Sequence, residues 1–249
     1  MPDLNRQIEE LLNSDYADPD ELSEIANSLR EAHRYDMLDK VTQLLVQKYP
    51  DNDDVLLLRA WYLTNIGCAY EEAANILRLI DCTDNVMYAI LGATITLHTT
   101  HDADMADSIF EHFFTSHPEF RSDIALEAAR LFISELYADS ADKWITRYEG
   151  PEDYDYLMVL SEILMAKEDY AEAAEIYRKV LDTKPMDTDA WNRLTDAYIS
   201  MRQYEDAVDA AEYSLAVDGN RRAEENIRMC TLCMNRQNNK TINNQKHKE

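Results

Sequence analysis

The sequence predicts an all-α solenoid built from helical hairpins, and two observations support this fold class. Tyrosine recurs at Tyr35, Tyr70, Tyr137, Tyr170 and Tyr204, with a period of roughly 34 residues in which one tyrosine is missing between Tyr70 and Tyr137. The chain of 249 residues has only 4 Gly and 6 Pro, which leaves few of the turns that sheets require. A period in the thirties indicates stacked two-helix units, each too small to bury its own apolar face.

Two consecutive units near the C-terminus carry the clearest pattern. The segment 154–185 is predicted to form two helices joined by a turn at 167–169, because each half has one apolar stripe at helical spacing. The segment 188–219 repeats this pattern one period later. The corresponding pairs are Leu157 and Trp191, Leu160 and Leu194, Ala173 and Ala207, and Pro185 and Gly219. Each unit is therefore one helical hairpin.

The spacing within the last unit resembles the tetratricopeptide repeat. Trp191-x2-Leu194-x3-Tyr198 is followed by Ala207 nine positions later, and Gly219 ends the unit. A small residue at the Ala207 position lets the second helix approach the first closely. The resemblance implies a right-handed solenoid that binds protein segments without catalysis and without a cofactor, in a concave groove lined by the first helix of each repeat.

In this register the chain is predicted to hold six repeats between two capping segments. Residues 1–18 are expected to form an N-terminal capping helix, 221–236 a C-terminal capping helix, and 237–249 a disordered tail with one apolar residue in 13. The repeats are assigned to residues 19–52, 53–84, 85–118, 119–152, 153–186 and 187–220.

Four of these repeats depart from the pattern, and in the second Ala60 and Trp61 stand where Leu and a small residue are expected. Leu38 stands where the first repeat should have a small residue, and Ser140 is assigned to the same position of the fourth. Ala103 takes the tyrosine position of the third repeat, and two extra residues fall in its predicted turn, 99–102. The third hairpin is therefore expected to be the least regular.

The charge distribution limits the classes of partner. The formal net charge is −25, and residues 1–220 alone hold 46 acidic against 17 basic side chains, whereas 221–249 hold 3 against 7. A negative electrostatic field repels phosphate backbones, so nucleic acid is not expected as a partner. The expected partner is a positively charged protein or peptide. The four glycines are too far apart for a phosphate-binding loop.

A cytoplasmic location is expected from the sequence. Residues 1–10 lack an apolar signal-peptide core, and no apolar run approaches the roughly 20 residues that span a bilayer. The four cysteines need no oxidising compartment. Membrane association is therefore not expected.

Neither the histidines nor the cysteines form a recognisable catalytic or metal-binding motif. His98, His101, His112 and His117 lie close together in the sequence, but a helix separates His101 from His117 by about 20 Å at a rise of about 1.5 Å per residue. Cys230 and Cys233 have zinc-like spacing without a second pair, and packing in the capping helix is the favoured alternative to a redox or metal role. We therefore predict no enzyme activity, no metal and no cofactor. A metal-dependent enzyme using the third hairpin remains a second alternative.

Candidate groove contacts are the first-helix residues expected to point away from the hairpin partner. They are Asn27, Arg30, Tyr62, Asn65, Met158, Glu162, Met165, Asn192 and Asp196. Glu162 and Asp196 stand where carboxylate-binding members of the family have basic residues or Asn, so a basic segment with apolar anchors is the expected ligand. A self-associating structural protein is the main alternative, since the oligomeric state is open.

Overall fold

The computed structural model describes the backbone of residues 19–246 and the side-chain surroundings of residues 23–236. Within residues 19–246, the regular elements are thirteen α-helices and one 3₁₀ turn, and the predicted all-α solenoid class is confirmed. No helix in this part of the chain is long and apolar enough to cross a membrane. The predicted N-terminal capping helix, residues 1–18, lies outside the described residues.

The described part of the chain divides into two compact units, with the boundary between Ala128 and Ala129. In the first unit, three hairpins follow one another. They are α1 (Pro19–Glu31) with α2 (Tyr35–Lys48), α3 (Asp53–Asn65) with α4 (Tyr70–Leu77), and α5 (Val86–Thr100) with α6 (Ala103–Ser116). A 3₁₀ turn, Pro118–Phe120, leads into α7 (Arg121–Ser134), within which the division falls. The core of this unit is made by residues such as Leu38, Leu45 and Leu56.

The second unit holds the remaining helices. They are α8 (Ala138–Ile145), α9 (Tyr154–Ala166), α10 (Tyr170–Thr183), α11 (Thr188–Ser200), α12 (Tyr204–Asp218) and α13 (Arg221–Lys246). Leu164, Tyr177, Val180 and Leu194 belong to a core shared by α9, α10 and α11. Each of the six predicted repeats contains two helices within its assigned bounds.

Capping side chains start several of the first helices. Asn52 accepts a hydrogen bond from the Val55 N–H (3.1 Å), Asp153 from the Tyr156 N–H (3.0 Å) and Asp187 from the Ala190 N–H (2.9 Å). Each bond satisfies a backbone donor that has no partner within its helix. These caps fix where α3, α9 and α11 begin.

The second helix of each hairpin begins after a residue in the left-handed region. These residues, all with φ between 49° and 66°, are His33, Cys68, His101, Leu136, Glu168 and Arg202. Each lies two positions before the first residue of its second helix. The residue three positions into that helix is completely buried in all six hairpins: Leu38, Ala73, Ala106, Ala141, Ala173 and Ala207.

This register corrects the assignment in the fourth repeat. Tyr137 is the residue that precedes α8, and the first helical residue is Ala138. The buried small position is consequently Ala141, with 0% exposure, whereas Ser140 is half-buried. The fourth repeat therefore follows the pattern, and the predicted departure at Ser140 is wrong because the tyrosine lies one residue before its usual place.

The third hairpin differs from its predicted form in where its extra residues lie. Helix α5 has 15 residues, two more than α3, and ends at Thr100. The turn that follows is only His101 and Asp102, and the Asp102 carboxylate accepts hydrogen bonds from the Asp104 and Met105 N–H groups. The extra residues extend the helix because each one adds a backbone hydrogen bond there.

The C-terminal helix is longer than predicted. Helix α13 continues to Lys246, well beyond the end predicted at Arg236, over a segment that was assigned to a disordered tail. Residues 237–246 contain neither Pro nor Gly, so no residue in this segment breaks the helix.

Candidate functional site

A pocket of about 310 Å³ in the second unit collects most of the predicted groove residues of the fifth and sixth repeats. Its lining is formed by Ile133, Leu136, Glu162, Met165, Ala166, Tyr177, Arg193 and Asp196. Buried Ile133 and Tyr177 contrast with Leu136, whose side chain is 86% exposed. The pocket thus combines apolar side chains with charged ones from α9 and α11.

Arg193 holds the first carboxylate of the pocket. Its Nη1 lies 2.7 Å from Oε1 of Glu162, and its Nε donates to Oδ2 of Asp189 at 2.8 Å. Burial lowers the pKa of the Arg193 guanidinium. The hydrogen bond to Asp189 and the charges of Glu162 and Asp189 together outweigh burial, so the pKa is raised overall and the group stays charged. Glu162 therefore enters the pocket already paired.

The second carboxylate of the pocket, Asp196, pairs with a residue of α13. Arg222 of α13 donates from Nη2 to Oδ2 of Asp196. Burial raises the pKa of the Asp196 carboxyl, while Arg222 and Arg193 oppose that effect. With Asp189, the cluster contains three carboxylates and two guanidiniums, so its formal charge is −1 when all are ionised. The two guanidiniums thus neutralise most of the negative charge of the three carboxylates, and a small net negative charge is left.

Two predicted groove residues of this unit lie elsewhere. Met158 is only 7% exposed and belongs to the core formed with Tyr177 and Val180, so the prediction that it is a free contact is wrong. Asn192 accepts a hydrogen bond from Ser214 Oγ (2.9 Å), and Asn220 donates to the same Oγ (2.9 Å). Asn192 of α11 therefore gives the buried Ser214 hydroxyl of α12 a hydrogen-bond acceptor, and this bond joins the two helices.

A second pocket, of about 450 Å³, lies in the first unit. It is lined by Trp61 and Asn65 of α3, by Val86, Met87, Ile90, Leu91 and Thr94 of α5, and by Phe120, Asp123 and Glu127. Its walls are mainly apolar, and two carboxylates belong to the lining. Asn65 is the predicted groove residue that this pocket includes.

The other predicted groove residues of the first unit have different surroundings. Asn27 is exposed on α1, and the Arg30 guanidinium carbon lies 5.1 Å from the centre of the Trp61 ring. Tyr62 packs against the core, and burial raises the pKa of its phenol. Arg59, 5.3 Å from the Tyr62 ring, also pairs with Asp39 at 2.6 Å. Tyr62 is therefore a packing residue, and its neighbour Trp61 lines the pocket.

Sequence reasoning missed several residues that line the pocket in the second unit. Arg193 stands one repeat after buried Val159, so a charged residue replaces an apolar one at the equivalent repeat position. That replacement was a usable signal. Leu136 and Ile133 come from the preceding hairpin, and no spacing within the fifth and sixth repeats indicates them.

Two of the four histidines, His98 and His117, stack on different aromatic side chains. His98 stacks on Tyr70 with ring centres 4.4 Å apart. His117 stacks on Phe113 at 4.1 Å, and its Nε2 lies 3.2 Å from Oδ1 of Asp84. Among the described residues, no group of three or more His, Cys, Asp or Glu is arranged to hold a metal ion.

The cysteine pair lies on α13 with one member inside the protein. Cys230 is buried and Cys233 is half-buried. Burial raises the pKa of the Cys230 thiol, and the neighbouring Cys233 raises it further. Because the thiolate is the reactive form, this environment favours an unreactive, packed thiol.

Comparisons with known proteins agree with the hairpin architecture. Residues 164–222 match the family model described as tetratricopeptide repeat. The structure of a tetratricopeptide repeat protein from Parabacteroides merdae ATCC 43184 is similar over 86% of this chain and 98% of that chain, with a TM-score of 0.51 and 12% identity. The structure of yeast Tom70 is similar over 94% of this chain but 58% of that chain, with a TM-score of 0.58 and 15% identity. A comparison with curated protein sequences gives no match.

The family match concerns one segment of the sequence, and the structural matches concern the fold. The two solved structures share the fold, and the family match covers the second helix of the fifth hairpin and the whole of the sixth. Residues 164–222 thus match the tetratricopeptide repeat, and the fold of the described residues is similar to that of a solved tetratricopeptide repeat protein.

Proposed function

We propose that the chain is a non-catalytic protein-interaction scaffold that binds a partner segment carrying Lys or Arg beside an apolar side chain. The observation that carries the proposal is the pocket of the second unit, where exposed Leu136 and half-buried Met165 stand beside the carboxylates of Glu162 and Asp196. Proteins of this repeat class generally act as interaction scaffolds. The basic character of the ligand is inferred from the pocket and from the net charge of −25.

The apolar side of the pocket supplies the contact energy in this proposal. Leu136 exposes most of its side chain, and removing such surface from water on both partners is favourable. Burying one leucine-sized side chain of the ligand stabilises the complex by about 1.5–3 kcal/mol before the cost of association. Methionine adapts its shape readily, so Met165 suits more than one apolar anchor.

The carboxylates act mainly on orientation and on the rate of association. Each has two oxygens, so Glu162 can accept from a ligand cation while it remains beside Arg193. The pairing with Arg193 and Arg222 limits how much either carboxylate contributes alone. Long-range attraction by the acidic surface is expected to raise the association rate and to weaken as salt is added.

The test compares two synthetic peptides that share apolar residues and differ in charge. One carries Leu flanked by Lys and Arg, and the other carries Glu at those flanking positions. Fluorescence anisotropy should show binding of the basic peptide, with an affinity that falls as NaCl rises, and much weaker binding of the acidic one. Equal affinity for both peptides, or an affinity independent of salt, would contradict the proposal.

Variants then locate the binding to the pocket. Glu162→Gln and Asp196→Asn remove charge without placing a cation beside Arg193 or Arg222, and each should weaken the basic peptide about 3- to 10-fold. Leu136→Ser should weaken binding of the apolar anchor. Glu205→Gln, an equivalent change at an exposed residue in the first turn of α12, is the matched control. Equal effects of the control and pocket changes would place binding elsewhere.

A further inference from the structure

The exposed side of α13 carries an apolar pair that does not belong to either pocket. Met229 is 44% exposed and Leu232 is 59% exposed, whereas Ala223 and Cys230 of the same helix are fully buried. At about 100° per residue, the centre of the pair lies about 130° around the helix from Cys230. Helix α13 thus presents two large apolar side chains to solvent.

The residues next to this pair along the helix complete a regular spacing. Glu225, Met229, Leu232 and Arg236 follow one another at intervals of 4, 3 and 4, and all four are exposed. This is the alternating spacing of the positions that face the partner in a two-helix coiled coil. We call these four residues the α13 seam.

The charges at the two ends of the seam are opposite and symmetrically placed. In an antiparallel pair of α13 helices centred between residues 230 and 231, Met229 faces Leu232 of the second copy, and Leu232 faces its Met229. The same symmetry brings Glu225 opposite Arg236 of the second copy, twice. A two-fold axis therefore pairs apolar with apolar and acid with base along the whole seam.

We propose that this chain forms an antiparallel dimer in which the α13 seam of one copy packs against the α13 seam of another. The interface does not involve the pockets, so the dimer is independent of the proposed peptide binding. In the single chain Glu225 pairs with Arg221 at 2.8 Å, on the surface, so forming the dimer exchanges one exposed ion pair for another. The apolar contacts and the helix length of 26 residues favour the paired state.

Local charge also explains why two acidic chains can meet at this helix. Residues 221–249 contain 7 basic and 3 acidic side chains, so the contact region is free of the acidic excess of residues 1–220. Repulsion between the more distant charges is screened over about 8 Å at physiological ionic strength. The second copy is therefore expected to dock through α13 rather than through the acidic surface.

Sedimentation velocity of the full chain at physiological salt tests the dimer. The expected result is a dimer at high micromolar concentration that dissociates on dilution. Leu232→Ser and Arg236→Glu should each give a monomer, because they remove an apolar contact or place Glu225 opposite an acid. Thr231→Glu, which adds a carboxylate one residue from the seam, should leave the dimer intact.

The charge exchange Glu225→Arg with Arg236→Glu distinguishes this register from other contacts. Glu225→Arg alone should give a monomer, and the double variant should restore the dimer. Circular dichroism of each variant establishes that its helices are retained. A wild-type chain that is monomeric at all concentrations, or a dimer that survives Arg236→Glu, would overturn the proposal. A double variant that folds and stays monomeric would overturn the antiparallel register.

Discussion

Side chains with a Cβ occupy left-handed backbone positions in every described hairpin turn. A residue other than glycine in this region is strained by about 1–2 kcal/mol, and Leu136, at φ 66°, is held there with its side chain in solvent. The left-handed residue lies between the two helices, and its backbone conformation redirects the chain into the second helix, which begins two residues later. The strain is therefore a cost of the hairpin geometry that recurs along the chain.

Replacing Arg202 by Gly should stabilise the second unit. Arg202 has φ 61° and an exposed side chain, so glycine relieves strain there and removes little contact. The expected gain in the free energy of unfolding is about 0.5–1 kcal/mol, measured by urea denaturation. Glu205→Gly, at an exposed position within α12, should instead destabilise the protein because glycine is unfavourable in a helix, and a gain from both variants would contradict this explanation.

The Tyr154 phenol gives a stability term that is visible at high pH. Burial and then the hydrogen bond to Asp187 raise its pKa to about 12. A folded pKa above the unfolded value of about 10 means that this stabilisation is complete below pH 10 and is lost as the pH rises toward about 12. Tyr154→Phe should lower the pH dependence of unfolding in that window. Ultraviolet titration should also show one fewer late-ionising tyrosine.

At the scale of the helix, one position in each second helix is completely buried in all six hairpins. Five of the six hairpins place alanine there, and the first has Leu38. The sequence indicated this position correctly wherever the tyrosine starts the helix. It failed in the fourth repeat because Tyr137 lies just before α8, a difference of one residue that no local propensity reveals.

Enlarging the two neighbouring residues of α8 tests that register. Ala141→Leu places a larger side chain at a completely buried position. The resulting overpacking should lower the free energy of unfolding by about 1–3 kcal/mol. Ser140→Leu, at a half-buried position, should change it by less than about 1 kcal/mol. Thermal and urea unfolding monitored by circular dichroism measure both. Greater damage from Ser140→Leu would restore the original assignment.

At the scale of the whole molecule, the excess of acidic side chains opposes compactness. With 49 acidic and 24 basic residues, the folded chain repels itself at low ionic strength. Screening shortens the range of this repulsion to about 10 Å at about 0.1 M salt, whereas close ion pairs such as Glu162 with Arg193 are screened less. The net charge is therefore expected to limit the stability of the folded chain.

Adding NaCl should consequently stabilise the protein. Between low and moderate ionic strength, the midpoint of urea unfolding should rise as the repulsion is screened. The same series in a nonionic osmolyte serves as the control for general effects of cosolutes. A midpoint that falls with NaCl would mean that surface ion pairs outweigh the net repulsion.

The sequence alone determined the class of fold. Helical spacing and turn residues are local properties of the sequence, and in a repeat protein the same pattern recurs several times along the chain. The sequence also brought Glu162, Met165 and Asp196 into one set of candidate contacts, because repeats share one register, and these three residues line the same pocket.

Only the tertiary structure decided what those side chains contact. Glu162 of α9 forms an ion pair with Arg193 of α11, and Asp196 of α11 forms one with Arg222 of α13. Both pairs join different helices, whose relative rotation depends on packing. Met158 is buried and Asn192 is bonded to Ser214 for the same reason. Periodicity specifies which residues share a helix face, but contact between faces follows from how the helices approach one another.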